Sequence, residues 1–211
     1  MSPRTAAALR GGDRSLREHL IATAERLIAD RGVAGLTVRD IARAAGVADG
    51  VLYNHFADKE ELLAHALHAH VRAAEERAGG PAPEPGTGTV GANLRTHLTR
   101  ALALHAAVLP AFTGLLHQPR VLARFAELPS PAAGGSVRAE LADYLRAEQL
   151  LGRVAPDARP DAVAALVVGV CHDLVLGHLL DPAAPAPAEL PARTVDDLVV
   201  TLLRGIALAT D

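Results

Sequence analysis

Stretches rich in Gly and Pro cut the chain into blocks, and within each block apolar residues return at the three- and four-residue spacing of a helix. The cuts fall at Gly79–Gly91 (GGPAPEPGTGTVG), Pro129–Gly135 (PSPAAGG) and Asp181–Pro191 (DPAAPAPAELP). No block sustains the period-two alternation of a half-buried strand, so the pattern predicts an all-α protein. Composition agrees. Half of the 211 residues are hydrophobic but only 2% are aromatic. The core is therefore aliphatic and alanine-rich, which suits close-packed helices better than strands.

Local signals place the helices. Ser15 and Glu18 form a capping box for a first helix over about Leu16–Asp30, with Gly32 as its left-handed stop. Thr37 caps a short second helix, with Asp40 three residues on and Leu36 stapling against Ile41; it ends near Ala45–Gly46. A third short helix follows over Ala48–Asn54. A fourth opens at Asp58, boxed by Glu61, and runs to about Ala78. Downstream the pattern predicts Ala92–Val108, Ala111–Gln118, Arg120–Glu127, Val137–Leu151, Asp161–Leu180 and Arg193–Ala209. The domain reading is a disordered arm at 1–13, a helix-turn-helix domain at 14–60 and a ligand-binding and dimerisation domain at 61–211.

Several function classes fall away. The formal net charge is −3, which argues against coating nucleic acid or membrane by bulk charge while leaving room for a local basic face. A single cysteine, Cys171, excludes an internal disulfide and a cysteine-built zinc site. The chain opens without a charged segment and apolar run of the export type, so a cytoplasmic location is expected. The most apolar stretch, Ala162–Leu180, carries His172, Asp173 and His178 and reads as a buried helix rather than a membrane span. Ten histidines raise a metal reading, but no H-E-x-x-H or His-rich tract exists, and no metal or cofactor is expected. There is no G-x-S-x-G elbow, P-loop or Rossmann glycine pattern. Cys171 and His172 are neighbours on a helix and diverge by about 100°, so they form no ready dyad. An enzyme is not expected.

The segment Thr37–Ala44, Ala45-Gly46-Val47, Ala48–Asn54 has the length pattern of a helix-turn-helix. In that motif the second helix lies in the major groove of DNA. Spacing alone leaves a plain αα-corner equally open. The string LIADRGVAGLTVRDIARAAGVADGVLYNHFADKEELL narrows the choice. It runs T-V-x-x-I-A-x-x-A-G-V, then G-x-L-Y-x-H-F, then x-x-K-x-x-L, in order and without gaps. Residues 15–63 thereby resemble the DNA-binding domain of the TetR family of bacterial transcriptional regulators. One departure is Ala48, where that family usually opens the recognition helix with Ser or a similar cap; Asp49 after it sets an anionic side chain near the groove.

The resemblance implies a dimeric repressor that binds a palindromic operator and is released by a small effector. On its motif, Lys59, the chain's only lysine, is a phosphate contact. The residue chemistry adds Thr37 at a helix N-terminus and the polar-tipped rings of Tyr53 and His55 as partners for phosphate oxygens. Arg39 and Arg43 are either further backbone contacts or solvated. Gly50 lets the helix approach the duplex, and Ala48, Asp49 and Asn54 remain to read bases. Seven basic against six acidic side chains between Arg14 and Lys59 leave a net of only +1. Affinity then depends on placement and dimeric avidity.

In that family the C-terminal domain is a helical receptor whose last two long helices pair with a second subunit. Here 161–180 and 193–209 are apolar nearly all round, which fits such pairing or a monomer's central core. Leu98, Leu102, His105, Phe112, Leu116, His117 and Tyr144 are the candidate effector-binding residues, in an apolar cavity between the Gly79–Gly91 loop and the end of the Val137–Leu151 helix. The rival reading is a helical interaction or DNA-binding protein with no small-molecule effector.

Overall fold

The structure is a computed structural model that describes residues 13–33, 35–78, 80–129, 136–181, 183–187 and 192–205. The described residues form helices and connecting turns, with no strand among them. In chain order the helices are α1 (Asp13–Arg31), α2 (Val38–Ala45), α3 (Asp49–Leu52), α4 (Lys59–Arg77), α5 (Val90–Thr113), α6 (Pro119–Glu127), α7 (Val137–Leu150), α8 (Pro160–Leu180) and α9 (Ala192–Arg204).

Two local expectations are corrected. α1 begins at Asp13, so Ser15 and Glu18 lie inside the helix and do not cap its start. Asp13 is therefore helical, and the rest of the arm expected over 1–13 lies outside the described residues. Pro110 does not separate two helices: α5 runs through it to Thr113, and residues 114–117 form a turn where the Ala111–Gln118 helix was expected. Proline removes one backbone donor and crowds the carbonyl four residues back, which costs a helix but does not forbid it when packing holds both sides. Here Ala101 and Leu102 before it, and Ala111 and Leu115 after it, are buried.

Contacts divide the chain into two compact units, Met1–Ala74 with Pro110–Ala132, and Glu75–Leu109 with Ala133–Asp211. The division is not the expected one at residue 60. α4 turns Leu62, Leu63, Ala66 and Leu67 onto the core that holds Leu20, Ile28, Ile41 and Leu52. Ala111, Leu115 and Val121 join the same core. A boundary at 60 would cut through this interior.

In the first unit, side chains tie α1 to the helices after it. His19 Nε2 donates to the Ala45 carbonyl at 3.2 Å. His70 Nδ1 lies 3.3 Å from Glu25 Oε1. Arg17 reaches Glu61 at 3.3 Å and lays its guanidinium 4.7 Å from the centre of the Phe56 ring. Glu61 in turn accepts from the Ala57 N–H at 2.7 Å, and Asp58 accepts from the Glu61 N–H at 2.8 Å, so the start of α4 is doubly capped.

In the second unit, α7 packs on α8 around Leu94, Leu98, Leu141, Leu145 and Val167. α8 is long and apolar enough to cross a membrane by length and composition, yet it also carries His172, Asp173 and His178. Within the single chain it is not buried on more than one side: its buried residues are Ala164, Val167, Cys171 and Val175, one stripe at helical spacing. Leu166, Leu179 and Leu180 stand outside that stripe and are exposed.

Candidate functional site

The first candidate surface is built from the turn between α2 and α3. Thr37 has the extended backbone of an N-cap; its hydroxyl accepts from the Asp40 N–H at 3.1 Å, and the Asp40 carboxylate accepts from the Thr37 N–H at 3.1 Å. The Thr37 side chain is thus committed to Asp40, leaving the first N–H groups of α2 as the part of this terminus that can face a phosphate. The Thr37 hydroxyl and N–H hold the Asp40 carboxyl below its usual range. Leu36 and Ile41 are both buried in one cluster, as the staple requires. At the other end Gly46 has φ +71°, a left-handed conformation that closes α2 and redirects the chain into α3.

α3 is shorter than expected, four residues with Tyr53 as its C-terminal cap. Ala48 is its N-cap and contributes no side-chain hydrogen bond. The helix turns Leu52 inward and leaves Ala48, Asp49, Gly50, Tyr53 and Asn54 exposed, Tyr53 at 59%. A methyl group added at Gly50 would meet nothing within 4 Å, and its backbone does not need glycine. Phe56 anchors this segment from below, 3% exposed among α1, α3 and α4.

Arg39 and Asp49 meet across the turn at 3.4 Å, both largely in solvent. Arg43 is exposed on the same short helix, and His55 and Lys59 are half-buried. Sequence reading placed a helix at Arg120–Glu127 but missed its part in this surface. Arg124 lies 2.5 Å and Arg120 3.9 Å from the Asp58 carboxylate, next to Lys59. Bonding to the Glu61 N–H, then the Arg124 charge, keeps Asp58 below the ordinary carboxylate range. Two arginines thus neutralise the acidic neighbour of Lys59. Only the return of 110–132 to the first unit brings them there, and no local pattern announces it.

The seven candidate effector residues do not gather at one place. Leu98, Leu102 and Tyr144 are buried in the core of the second unit, and His105 meets His172 with ring centres 4.9 Å apart. Phe112 belongs to the first unit, where it stands edge-on to Phe125 at 5.3 Å. Leu116 and His117 are exposed in the turn after α5, Leu116 at 69%. The reason is the continuity of α5 through Pro110, which carries these three residues past the second unit's core.

The place expected to hold the cavity is filled with polar contacts. Glu148 is wholly buried; it accepts from the Gly86 N–H at 3.2 Å and has its other oxygen 3.1 Å from Arg153 Nε, close enough to pair but not aligned as a hydrogen bond. Arg153 also donates to the Gly88 carbonyl at 2.8 Å. An apolar opening lies elsewhere among the described residues, a recess of about 190 Å³ walled by Leu98 of α5, Val167 and Val170 of α8, and Leu198 and Leu202 of α9.

Against known proteins, residues 20–66 match the model described as bacterial regulatory proteins, tetR family. Those residues belong to the tetR family. The HTH-type transcriptional repressor KstR2 of Mycolicibacterium smegmatis is 45% identical over 53 residues, 25% of this chain and 26% of that protein. The match thus spans about a quarter of the length of the curated relative. Solved structures extend the likeness of fold to about nine-tenths of the chain. The regulator FadR of Bacillus subtilis, in complex with stearoyl-CoA, has a TM-score of 0.63 at 17% identity, covering 90% of this chain and 99% of that one. The fatty acid degradation regulator FadR of Bacillus halodurans gives 0.64 at 18%, covering 92% and 97%.

Proposed function

We propose that the chain is a dimeric transcriptional regulator, a repressor acting in the cytoplasm, that binds a palindromic operator and leaves it when a small, mainly apolar effector binds. The observation that carries the DNA half is α3: four residues set on the Gly46 turn, held from beneath by Leu52 and Phe56, with Asp49, Gly50, Tyr53 and Asn54 open to solvent. Lys59, Tyr53 and His55 take phosphate oxygens, with Arg39 and Arg43 as further backbone contacts and the start of α2 at Thr37 offering N–H groups. Ala48, Asp49 and Asn54 face base edges.

The receptor half rests on the recess. At about 190 Å³ it suits a compact apolar molecule, since an apolar cavity of about 150 Å³ already holds benzene. It is too small for an acyl-CoA such as the one bound by the Bacillus subtilis FadR. The dimer half rests on α8 and α9, which leave Leu180 85%, Leu203 51% and Val200 44% exposed. A second copy would bury them and hold two recognition helices about one DNA turn apart. The effector then works by favouring a dimer whose spacing misses the operator.

Footprinting on DNA upstream of the chain's own gene should give a symmetric protected site, lost as salt rises. An asymmetric footprint, or affinity indifferent to salt, would overturn the reading. Lys59→Ala should weaken all operators alike and lower the salt slope by about one unit. Gly50→Ala separates fold from contact. The added methyl meets nothing in the chain and suits a helix better than glycine. Thermal stability should hold or rise while operator affinity falls about tenfold; unchanged affinity would mean that Gly50 does not face the duplex. Thermal-shift screening against small apolar metabolites decides between a receptor and a helical DNA-binding or interaction protein without an effector.

A further inference from the structure

Two arginines stand against one carboxylate at the start of α4, and one positive charge is left over. Asp58 is fully supplied without Arg120: its Oδ1 accepts from the Glu61 N–H at 2.8 Å, and its Oδ2 lies 2.5 Å from Arg124 Nη2. Arg120 Nη2 stays 3.9 Å from that same Oδ2, too far for a hydrogen bond, and its side chain is 74% exposed. Among the described residues the Arg120 guanidinium has this ion pair and no hydrogen bond. Exposed pairs of this kind add little stability, so Asp58 does not explain why an arginine stands here. α6 gains nothing from it either. Arg120 is the second residue of that helix, where a cation opposes the helix dipole.

The backbone beneath Arg120 is firmly set. Its neighbour Val121 is wholly buried in the core that also holds Ile41, Leu62 and Leu67, and Pro119 opens the helix. The exposed guanidinium is therefore carried from a fixed point on the same compact unit as the helix-turn-helix. It also adjoins the surface assigned to phosphates. Asp58 and Lys59 line one shallow depression together with Tyr53, which is 59% exposed. Tyr53, Lys59 and Arg120 thus border one another through this depression and Asp58, whose charge Arg124 takes up. A planar guanidinium with unused donors beside two phosphate-binding side chains is suited to a third phosphate oxygen.

We propose that Arg120 is a phosphate contact of the operator complex, supplied by a helix outside the helix-turn-helix, so that Lys59 from α4 and Arg120 from α6 hold neighbouring phosphates. This rests on the DNA-binding reading and extends its contact surface by one helix. Arg124 is then a positioning residue: paired with Asp58, it cancels the carboxylate that would otherwise repel the backbone beside Lys59.

The test uses the full chain and the duplex that footprinting defines, titrated across about 50–200 mM salt. Arg120→Ala should weaken binding about fivefold and lower the salt slope by about one unit for each Arg120 lost from the complex. Its melting temperature should hold, because only an exposed pair goes. Arg120→Lys keeps the charge and should keep the slope. Ethylation of single phosphates gives the position: one site per half-site should cease to matter in Arg120→Ala, a different one from that lost in Lys59→Ala. The cost of Arg120→Ala must also persist in Asp58→Asn, whose amide still caps α4. If it vanishes in that background, Arg120 acts only through Asp58 and the contact is overturned. Unchanged affinity and slope in Arg120→Ala, or a slope lost in Arg120→Lys as well, overturns it too. A salt-dependent wild-type footprint with Arg120 indifferent sinks this contact alone. A wild-type chain that gives no salt-dependent footprint sinks the DNA-binding reading and the contact with it.

Discussion

Phe56→Ala will abolish operator binding by unfolding the helix-turn-helix rather than by removing a contact. Phe56 is 3% exposed, and its ring is packed against the α1–α4 core, with the Arg17 guanidinium 4.7 Å from its centre and the His65 ring 6.3 Å away. Deleting a buried phenyl costs about 3–5 kcal/mol, because the transfer free energy is lost and the cavity collapses only in part. For a unit of this size, with about 5–15 kcal/mol in all, that is a large fraction of the available stability. Arg17 would also lose its ring, loosening its link to Glu61 and thereby the capped start of α4. Circular dichroism melts should show the N-terminal transition falling below working temperature, with Phe56→Leu keeping most of the stability and the DNA binding. A well-folded Phe56→Ala that fails to bind would instead make Phe56 a contact residue.

Arg153→Met is expected to be the most damaging single change in the second unit. It leaves the wholly buried Glu148 carboxylate without its counter-charge and frees the Thr87 and Gly88 carbonyls that Arg153 also holds. Breaking a buried pair from one side costs about 3–5 kcal/mol, and since Arg153 is itself 27% exposed the lower end applies. About 3 kcal/mol corresponds to a fall in Tm of about 6–12 °C for a chain of this size. The double variant Glu148→Leu/Arg153→Met removes both charges and should recover at least half the loss. A double variant no better than the single one would place the cost in the loop carbonyls rather than in the orphaned carboxylate.

Legibility in the sequence followed the range of the interactions. The α2–α3 element could be read because its determinants are local: a cap and its partner three residues apart, a staple across five, a glycine at the one left-handed turn. The same locality gave the open surface of Asp49, Gly50, Tyr53 and Asn54, and the tetR likeness followed from the string that encodes it. Pro110 misled because its local cost is real, and only packing on either side lets α5 continue. That one misreading assigned Phe112, Leu116 and His117 to the receptor core, whereas a continuous α5 delivers them to the first unit. The pairing of Arg120 and Arg124 with Asp58 escaped notice because it spans more than 60 residues of chain. Glu148 was the avoidable omission. It follows Leu141, Tyr144 and Leu145 on the inward stripe of α7, and a carboxylate in register with three core residues signals a buried polar site.

Lys59 has a further consequence, one of reagent chemistry. The chain contains no second lysine, so besides its α-amino terminus it offers acylating reagents a single primary amine, and that amine sits half-exposed at the first residue of α4, beside the Asp58–Arg124 pair. Mass spectrometry of one peptide therefore counts how many molecules have that face uncovered at any moment. On the proposed function, DNA covering the face will slow the acylation and an effector that frees it will speed it again, with no tag, dye or engineered cysteine needed to read either change.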